Sequence, residues 1–373
     1  MSEPTAPATG PAGLRMRPSI AAIQLYRPSR PAAAAAGRRV AALASNELPF
    51  APAAAVRDAI AQAAAGLNRY PDPQALALRE RIAAASGVGV DRVAVGAGSM
   101  ILLQQAVLAT TGEGDELLYA WPSFEGYPLL ASLAGAQAVA VPLRDARHDL
   151  PAMADAIGER TGCILVCNPN NPTGTLLRRD ELAAFLARVP RDRLVVLDEA
   201  YREFVDDPGH RDALTLLDDF PNLLVTRTFS KAHGLAGLRI GYAIAGPDVI
   251  DAIRRSHIPF NVTALAQAGA IAALDAADAL QRRLAGLSAG RRRLTEHARA
   301  LGYPAVDGYG NFVWLALGER AGEVGARLEA EGVIGRVLAP FGIRVSVGSA
   351  DDVDHAMEAL ARAAAAAPAE QAG

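Results

Sequence analysis

Cys163-Ile164-Leu165-Val166-Cys167-Asn168-Pro169-Asn170-Asn171-Pro172-Thr173-Gly174 opens the stretch that decides the fold, and Arg193-Leu194-Val195-Val196-Leu197-Asp198-Glu199-Ala200-Tyr201 closes it. Each begins as a short apolar run without polar alternation, the pattern of a strand buried on both faces. The first run ends in a polar turn stiffened by prolines, and the second ends in a carboxylate with a phenol three residues later. Between them, residues 180–189 carry helical spacing. Strands alternating with helices predict a parallel α/β sheet. Ligands of such sheets sit beyond the carboxyl ends of the strands, which is where Asn171 and Asp198 fall.

A third strand end follows. Residues 222–225 lead into Thr226-Arg227-Thr228-Phe229-Ser230-Lys231-Ala232-His233-Gly234-Leu235-Ala236-Gly237-Leu238-Arg239, which places a hydroxyl, a lysine and an arginine in a Gly-rich loop. A lysine at a strand end can form a Schiff base with an aldehyde, and Ser230 and Arg239 can hold a phosphate beside it. Pyridoxal phosphate has both groups and needs a protein partner for its pyridine nitrogen. Alone, the run also reads as a basic surface loop. The placing of Asn171, Asp198 and Lys231 at or just past three strand ends favours the cofactor.

Four ordered motifs carry a family resemblance: Asn-Pro-Asn-Asn-Pro-Thr-Gly (168–174), Asp-Glu-Ala-Tyr (198–201), Thr-Phe-Ser-Lys (228–231) and Gly-Leu-Arg-Ile-Gly-Tyr (237–242). With them the chain resembles the fold-type I pyridoxal-phosphate-dependent aminotransferases, specifically the histidinol-phosphate aminotransferase family, over residues 43–347. The resemblance implies an α/β fold with a large domain, built on a mostly parallel seven-stranded sheet flanked by helices, and a smaller α+β domain. It implies that Lys231 carries the cofactor and shuttles the substrate proton, a step typically worth about 10²–10⁴-fold. Asp198 pairs with the pyridine nitrogen and keeps the ring an electron sink. Asn171 and Tyr201 hydrogen-bond the ring oxygen, with Asn171 also near the substrate. Gly98, Ser99 and Met100, at the start of a helix whose free N–H groups favour an anion, join Ser230 and Arg239 around the phosphate. Phe124 stacks on the ring. Arg344 and Arg336 bind the substrate's anionic group, for which a guanidinium fork suits carboxylate and phosphate alike, and Tyr26 joins them. Tyr70 reaches the phosphate of the neighbouring subunit, so the active site needs a homodimer.

Plainer alternatives exist for several of these residues. Asp198 also reads as a helix N-cap, Asn171 as a turn residue, Tyr201 as a half-buried tyrosine, and Gly96-Ala97-Gly98-Ser99 as a tight turn. Phe124 and Trp121 are alternatives as core residues, a role assigned here to Trp121. Arg336 also reads as a surface arginine on an edge strand, and His233 as a loop histidine. Relatives often have a carboxylate or asparagine where Met100 stands; a backbone contact survives that change and a side-chain contact does not.

At 373 residues with 51% hydrophobic content, the chain suits a large plus a small domain. The expected division is a disordered tail over 1–19, an N-terminal arm with part of the small domain over 20–50, and a large cofactor domain over 51–280. A small domain over 281–365 and a flexible tail over 366–373 complete it. Residues 31–37 read as a low-complexity loop, and 277–301 as the long helix joining the domains. A net charge of −3 gives no electrostatic case for nucleic acid or membrane surfaces. No apolar run reaches transmembrane length and no signal pattern opens the chain, which predicts a cytoplasmic protein. Cys163 and Cys167 read as small buried residues on one strand face, and none of the six histidines has metal-ligand spacing.

The donor is less legible. Aromatic L-amino acids and L-histidinol phosphate are both realistic within the family, with 2-oxoglutarate as the acceptor. Ala44-Ser45-Asn46-Glu47 without a following Asn-Pro, Trp121-Pro122-Ser123-Phe124-Glu125, Val166 to Asn171, and Asn311-Phe312-Val313-Trp314-Leu315 look closer to the actinobacterial aromatic, or phenylalanine, branch. The aromatic donor is therefore placed first and histidinol phosphate second. A decarboxylase of amino-acid phosphates and a cofactor-sensing regulator are further alternatives; the second needs a DNA-binding module ahead of the catalytic motifs.

Overall fold

The computed structural model describes residues 14–23 and 39–365. Tyr26, the 31–37 patch and the 366–373 tail lie outside the described residues. The expected tail over 1–19 differs at its end: Pro18–Ala21 forms a short helix, and Arg17 Nη2 donates to the Leu133 carbonyl at 2.7 Å. No hydrophobic periodicity announces this four-residue helix, which starts with a proline and packs on the distant helix Gly126–Ala134.

Thirteen strands occur among the described residues. Strand β1 (Ala41–Ala42) is followed by β2 (Val93–Gly96), β3 (Glu116–Trp121), β4 (Gln137–Pro142), β5 (Thr161–Cys167), β6 (Leu194–Asp198), β7 (Leu223–Thr228) and β8 (Gly241–Ala245). Strands β2 to β8 form one sheet in the order β2-β8-β7-β6-β5-β3-β4, parallel except for β8. Apart from the largely exposed edge strand β4, its strands are buried on both faces, which explains their unbroken apolar runs. Ile164, Val166, Val195, Leu197 and Val225 face one helical layer, while Cys163, Leu165, Cys167, Val196 and Leu224 face the other. Both cysteines are buried, and burial pushes their thiols up to about 12.

The remaining strands are β9 (Ala305–Val306), β10 (Phe312–Leu315), β11 (Val333–Ile334), β12 (Arg336–Leu338) and β13 (Gly342–Ser346). Four of them make an antiparallel sheet ordered β12-β13-β10-β9, and β11 pairs with β1. The 24-residue helix Ala277–Ala300 and the helix Ala350–Ala365 pack here, around a core that includes Leu287, Phe312, Ile343 and Leu360. Tyr201, Phe204 and Ala232 of the large-sheet segment join the same core. The cleft between the two sheets is therefore floored by the loops that follow β5, β6 and β7.

Candidate active site

Three adjacent parallel strands deliver three functional groups to one place. Strand β6 ends in Asp198, and the turns after β5 and β7 bring Asn171 and Lys231. All three line a cleft of about 1490 Å³, together with Ser99, Met100, Phe124, Tyr201, Ser230, Arg239, Arg336 and Arg344. Gly98 sits against Arg239 at its edge.

Lys231 Nζ donates to the carbonyls of Ser45 and Asn46 at 2.9 and 3.3 Å. Burial, reinforced by the nearby Arg344 charge, lowers this amine to about 7. A large fraction is therefore neutral and nucleophilic near neutral pH. Asp198 is buried and raised to about 6 by desolvation. It is held ionisable by hydrogen bonds from Tyr127 Oη at 3.0 Å and Thr226 Oγ1 at 3.4 Å. Tyr201 is fully buried rather than half-buried; burial pushes its phenol up to about 12, against the pull of Arg344 and a hydrogen bond from Asn46 Nδ2 at 2.9 Å.

On one side of the cleft the helix Ser99–Thr110 begins at Gly98 without a side-chain cap, so its first N–H groups face inward. Gly98 has φ +84°, and an added Cβ would fall 2.5 Å from Arg239 Nη2. Arg239 itself has φ 51° and donates to Ser230 Oγ at 3.2 Å. A glycine-floored cradle of N–H groups, a hydroxyl and a guanidinium results, with the charge and shape for a phosphate. Met100 turns its side chain toward Phe124: a Cβ on Gly126 would meet Phe124 Cε1 at 2.6 Å and Met100 Cε at 3.0 Å. Phe124 stands edge-on to Tyr127, with centroids 5.5 Å apart.

Opposite lie two guanidiniums on one face of the small sheet, because Arg336 and Arg344 are directly opposed in register. Arg344 is buried and donates to Asn171 Oδ1 and to the Ala44 carbonyl. Arg336, on the edge strand, makes a bidentate ion pair with Glu125 at 2.6 and 2.9 Å.

Some residues stand elsewhere. Tyr70 is 83% exposed, outside the cleft, with its ring 4.7 Å from Phe260. His233 packs on Phe229, and burial lowers it to about 4; it does not line the cleft. Trp121 is partly buried and packs edge-on to Phe341. The sequence reading missed Asn46, Tyr127, Thr226 and Glu125. Asn46 is fully buried with φ 53° and is pinned by Ser346 at 2.9 and 2.8 Å. Tyr127 had one available signal, its position three residues after the site aromatic Phe124, at the start of the helix Gly126–Ala134. Among the described residues no group of His, Cys, Asp and Glu is arranged to hold a metal, and no helix is long and apolar enough to cross a membrane.

A weakly basic buried amine, a buried carboxylate, an anion cradle and two guanidiniums around one cleft define a site for amine chemistry on an anionic substrate. The chain belongs to the aminotransferase class I and II family, whose model matches residues 38–360, and its architecture is fold type I. It is 50% identical to the aromatic amino acid aminotransferase of Thermobifida fusca over 339 residues, 91% of this chain and 94% of the relative. The protein of the same description from Streptomyces avermitilis is 47% identical over 90% of this chain and 93% of the relative. Among solved structures, histidinol-phosphate aminotransferase from Sinorhizobium meliloti in complex with pyridoxal-5'-phosphate superposes with a TM-score of 0.87. It is 29% identical, with 94% of this chain and 98% of that one covered.

Proposed function

We propose that the chain is a pyridoxal-5'-phosphate-dependent aminotransferase that moves the amino group of an aromatic, phenylalanine-like L-amino acid to 2-oxoglutarate. The observation that carries it is the convergence of Lys231, Asp198 and the Gly98–Ser230–Arg239 cradle in one cleft. The residues fit the cofactor: a phosphate for the cradle, a protonated pyridine nitrogen for the otherwise costly buried Asp198 carboxylate, and an aldehyde for the lowered Lys231 amine. When bound, the cofactor supplies an electron sink for the bonds at the substrate's Cα.

Asn171 and Tyr201, which line the cleft, would hydrogen-bond the ring oxygen, and Phe124 would stack on the ring. Ser99 and Met100 contribute the helix start to the phosphate. Lys231 would hold the cofactor through Nζ and, when free, would move the proton at the substrate's Cα as a general base of fitting basicity. Arg344 orients the substrate carboxylate, and its hold on Asn171 Oδ1 couples that clamp to the cofactor side. Support for the aromatic donor comes from the two relatives of that description and from the apolar side chain of Leu129 in the cleft. Histidinol phosphate is the second reading, favoured by the likeness to the Sinorhizobium meliloti enzyme, at a lower identity of 29%.

The protein acts as a homodimer in the cytoplasm, with Tyr70 reaching the neighbouring cofactor phosphate. An exposed Tyr70 beside exposed Phe260 and Ile258 supports a covered face there. The proposed division is an N-terminal arm with part of the small domain over 20–50, a large domain over 51–280 and a small domain over 281–365. Steady-state kcat/KM for phenylalanine and histidinol phosphate, each with 2-oxoglutarate, tests the donor. Phenylalanine is the better substrate on this proposal, and a tenfold or greater preference for histidinol phosphate overturns it.

A further inference from the structure

The proposed reaction asks one cleft to accept two unlike side chains: an uncharged ring on the donor and a carboxylate on the acceptor. The cleft mouth shows how both are served. Glu125, at the cap of the helix Gly126–Ala134, and Arg336, on β12, come from opposite sides of the cleft and meet in a two-point ion pair at 2.6 and 2.9 Å. Leu129, one turn beyond Glu125, lines the same cleft and gives the ion pair an apolar neighbour.

The two arginines on this sheet face are held differently. Arg344 donates to Asn171 Oδ1 and the Ala44 carbonyl. Arg336 is ion-paired with the Glu125 carboxylate. A carboxylate common to every amino acid is drawn to Arg344. A second anionic group on a substrate meets Arg336 where Glu125 already holds its Nε and Nη2.

Resting on the proposed transamination, we propose that Glu125 is a specificity-determining residue that competes with the distal anionic group of a substrate for Arg336. With an aromatic side chain the Glu125–Arg336 pair stays closed and forms part of the wall beside Leu129. With a dicarboxylic substrate Arg336 exchanges one carboxylate for another, so the cost of breaking the ion pair is subtracted from binding. The pair is partly exposed, 23% for Arg336 and 40% for Glu125, and solvent screens it, so the effect on binding is moderate.

The test compares L-glutamate and L-phenylalanine as amino donors for the holoenzyme, its Glu125→Gln variant and the Glu125→Gln/Arg336→Gln double variant. Removing the competing charge should raise the ratio of kcat/KM for glutamate over phenylalanine by about three-fold or more, through the KM for glutamate. The double variant should lose that gain, since the exchange needs Arg336. Near-visible cofactor absorbance reports that each variant is folded and loaded. An unchanged or lowered ratio in Glu125→Gln, or a gain that persists without Arg336, overturns the proposal. A wild-type holoenzyme that transaminates neither donor refutes instead the aminotransferase reading on which this rests.

Discussion

The basicity of Lys231 makes the most quantitative claim about the site. Burial and then the Arg344 charge bring the amine from 10.5 to about 7 in the cofactor-free protein. At pH 7 roughly half of the molecules then carry a neutral amine, against about 0.03% for an ordinary lysine, an advantage of about 10³ in reactive form. The assay is the rate at which cofactor-free protein gains near-visible absorbance on mixing with pyridoxal-5'-phosphate, followed from pH 5.5 to 10. The rate should climb about tenfold per unit below about pH 7 and level off above it. Arg344→Gln should move the bend to higher pH, because it removes the second cause of the shift. Stability carries the same signature. The folded value lies below the unfolded one, so Lys231 costs stability in full below about 7, and the cost is relieved as pH rises from about 7 to 10.5. A capture rate that keeps rising in proportion to hydroxide through pH 9.5 would refute the claim that the fold lowers this amine.

Asp198→Asn should reduce kcat by about 10²–10⁴ while the near-visible absorbance is kept, since an uncharged partner leaves the ring a poor sink; full activity would show that Asp198 is not the ring partner. Asp198 is raised from 3.8 to about 6, so its carboxylate costs cofactor-free stability above the unfolded value, reaching up to about 3 kcal/mol above pH 6. Chemical denaturation of cofactor-free Asp198→Asn should therefore show a gain at pH 8 that disappears toward pH 4. Tyr70→Phe should weaken cofactor affinity, measured by equilibrium dialysis, and mixing with a subunit inactivated at Lys231 should restore one intact site per dimer. Absence of rescue in mixed dimers would contradict a shared site.

The sequence exposed what local patterns can encode. Strands β5, β6 and β7 were legible because burial on both faces demands continuous apolar runs, and their carboxyl ends named Asn171, Asp198 and Lys231. The Gly98 cradle was only weakly legible, since Gly96-Ala97-Gly98-Ser99 also reads as a tight turn; the φ of +84° and the close Arg239 guanidinium that leave no room for a Cβ emerge only in the folded chain. Other residues depend on distant parts of the chain. Asn46 reaches the site only because Ser346, 300 positions away, fixes its backbone and amide. Glu125 reads as an ordinary surface acid until β12 brings Arg336 against it, 211 residues later. Tyr127 has the spacing of a core residue and is one, yet its hydroxyl supports Asp198. Tyr70 illustrates the reverse case: its motif is legible, while its own chain leaves it in solvent.

The half-reaction tests the central claim most directly. The holoenzyme, without any oxo acid, is mixed with excess L-phenylalanine or L-histidinol phosphate, and loss of the near-visible cofactor band is followed. Rapid conversion by phenylalanine, abolished in Lys231→Ala, is the predicted result. Conversion by histidinol phosphate alone, or by phenylalanine in the absence of Lys231, would contradict it.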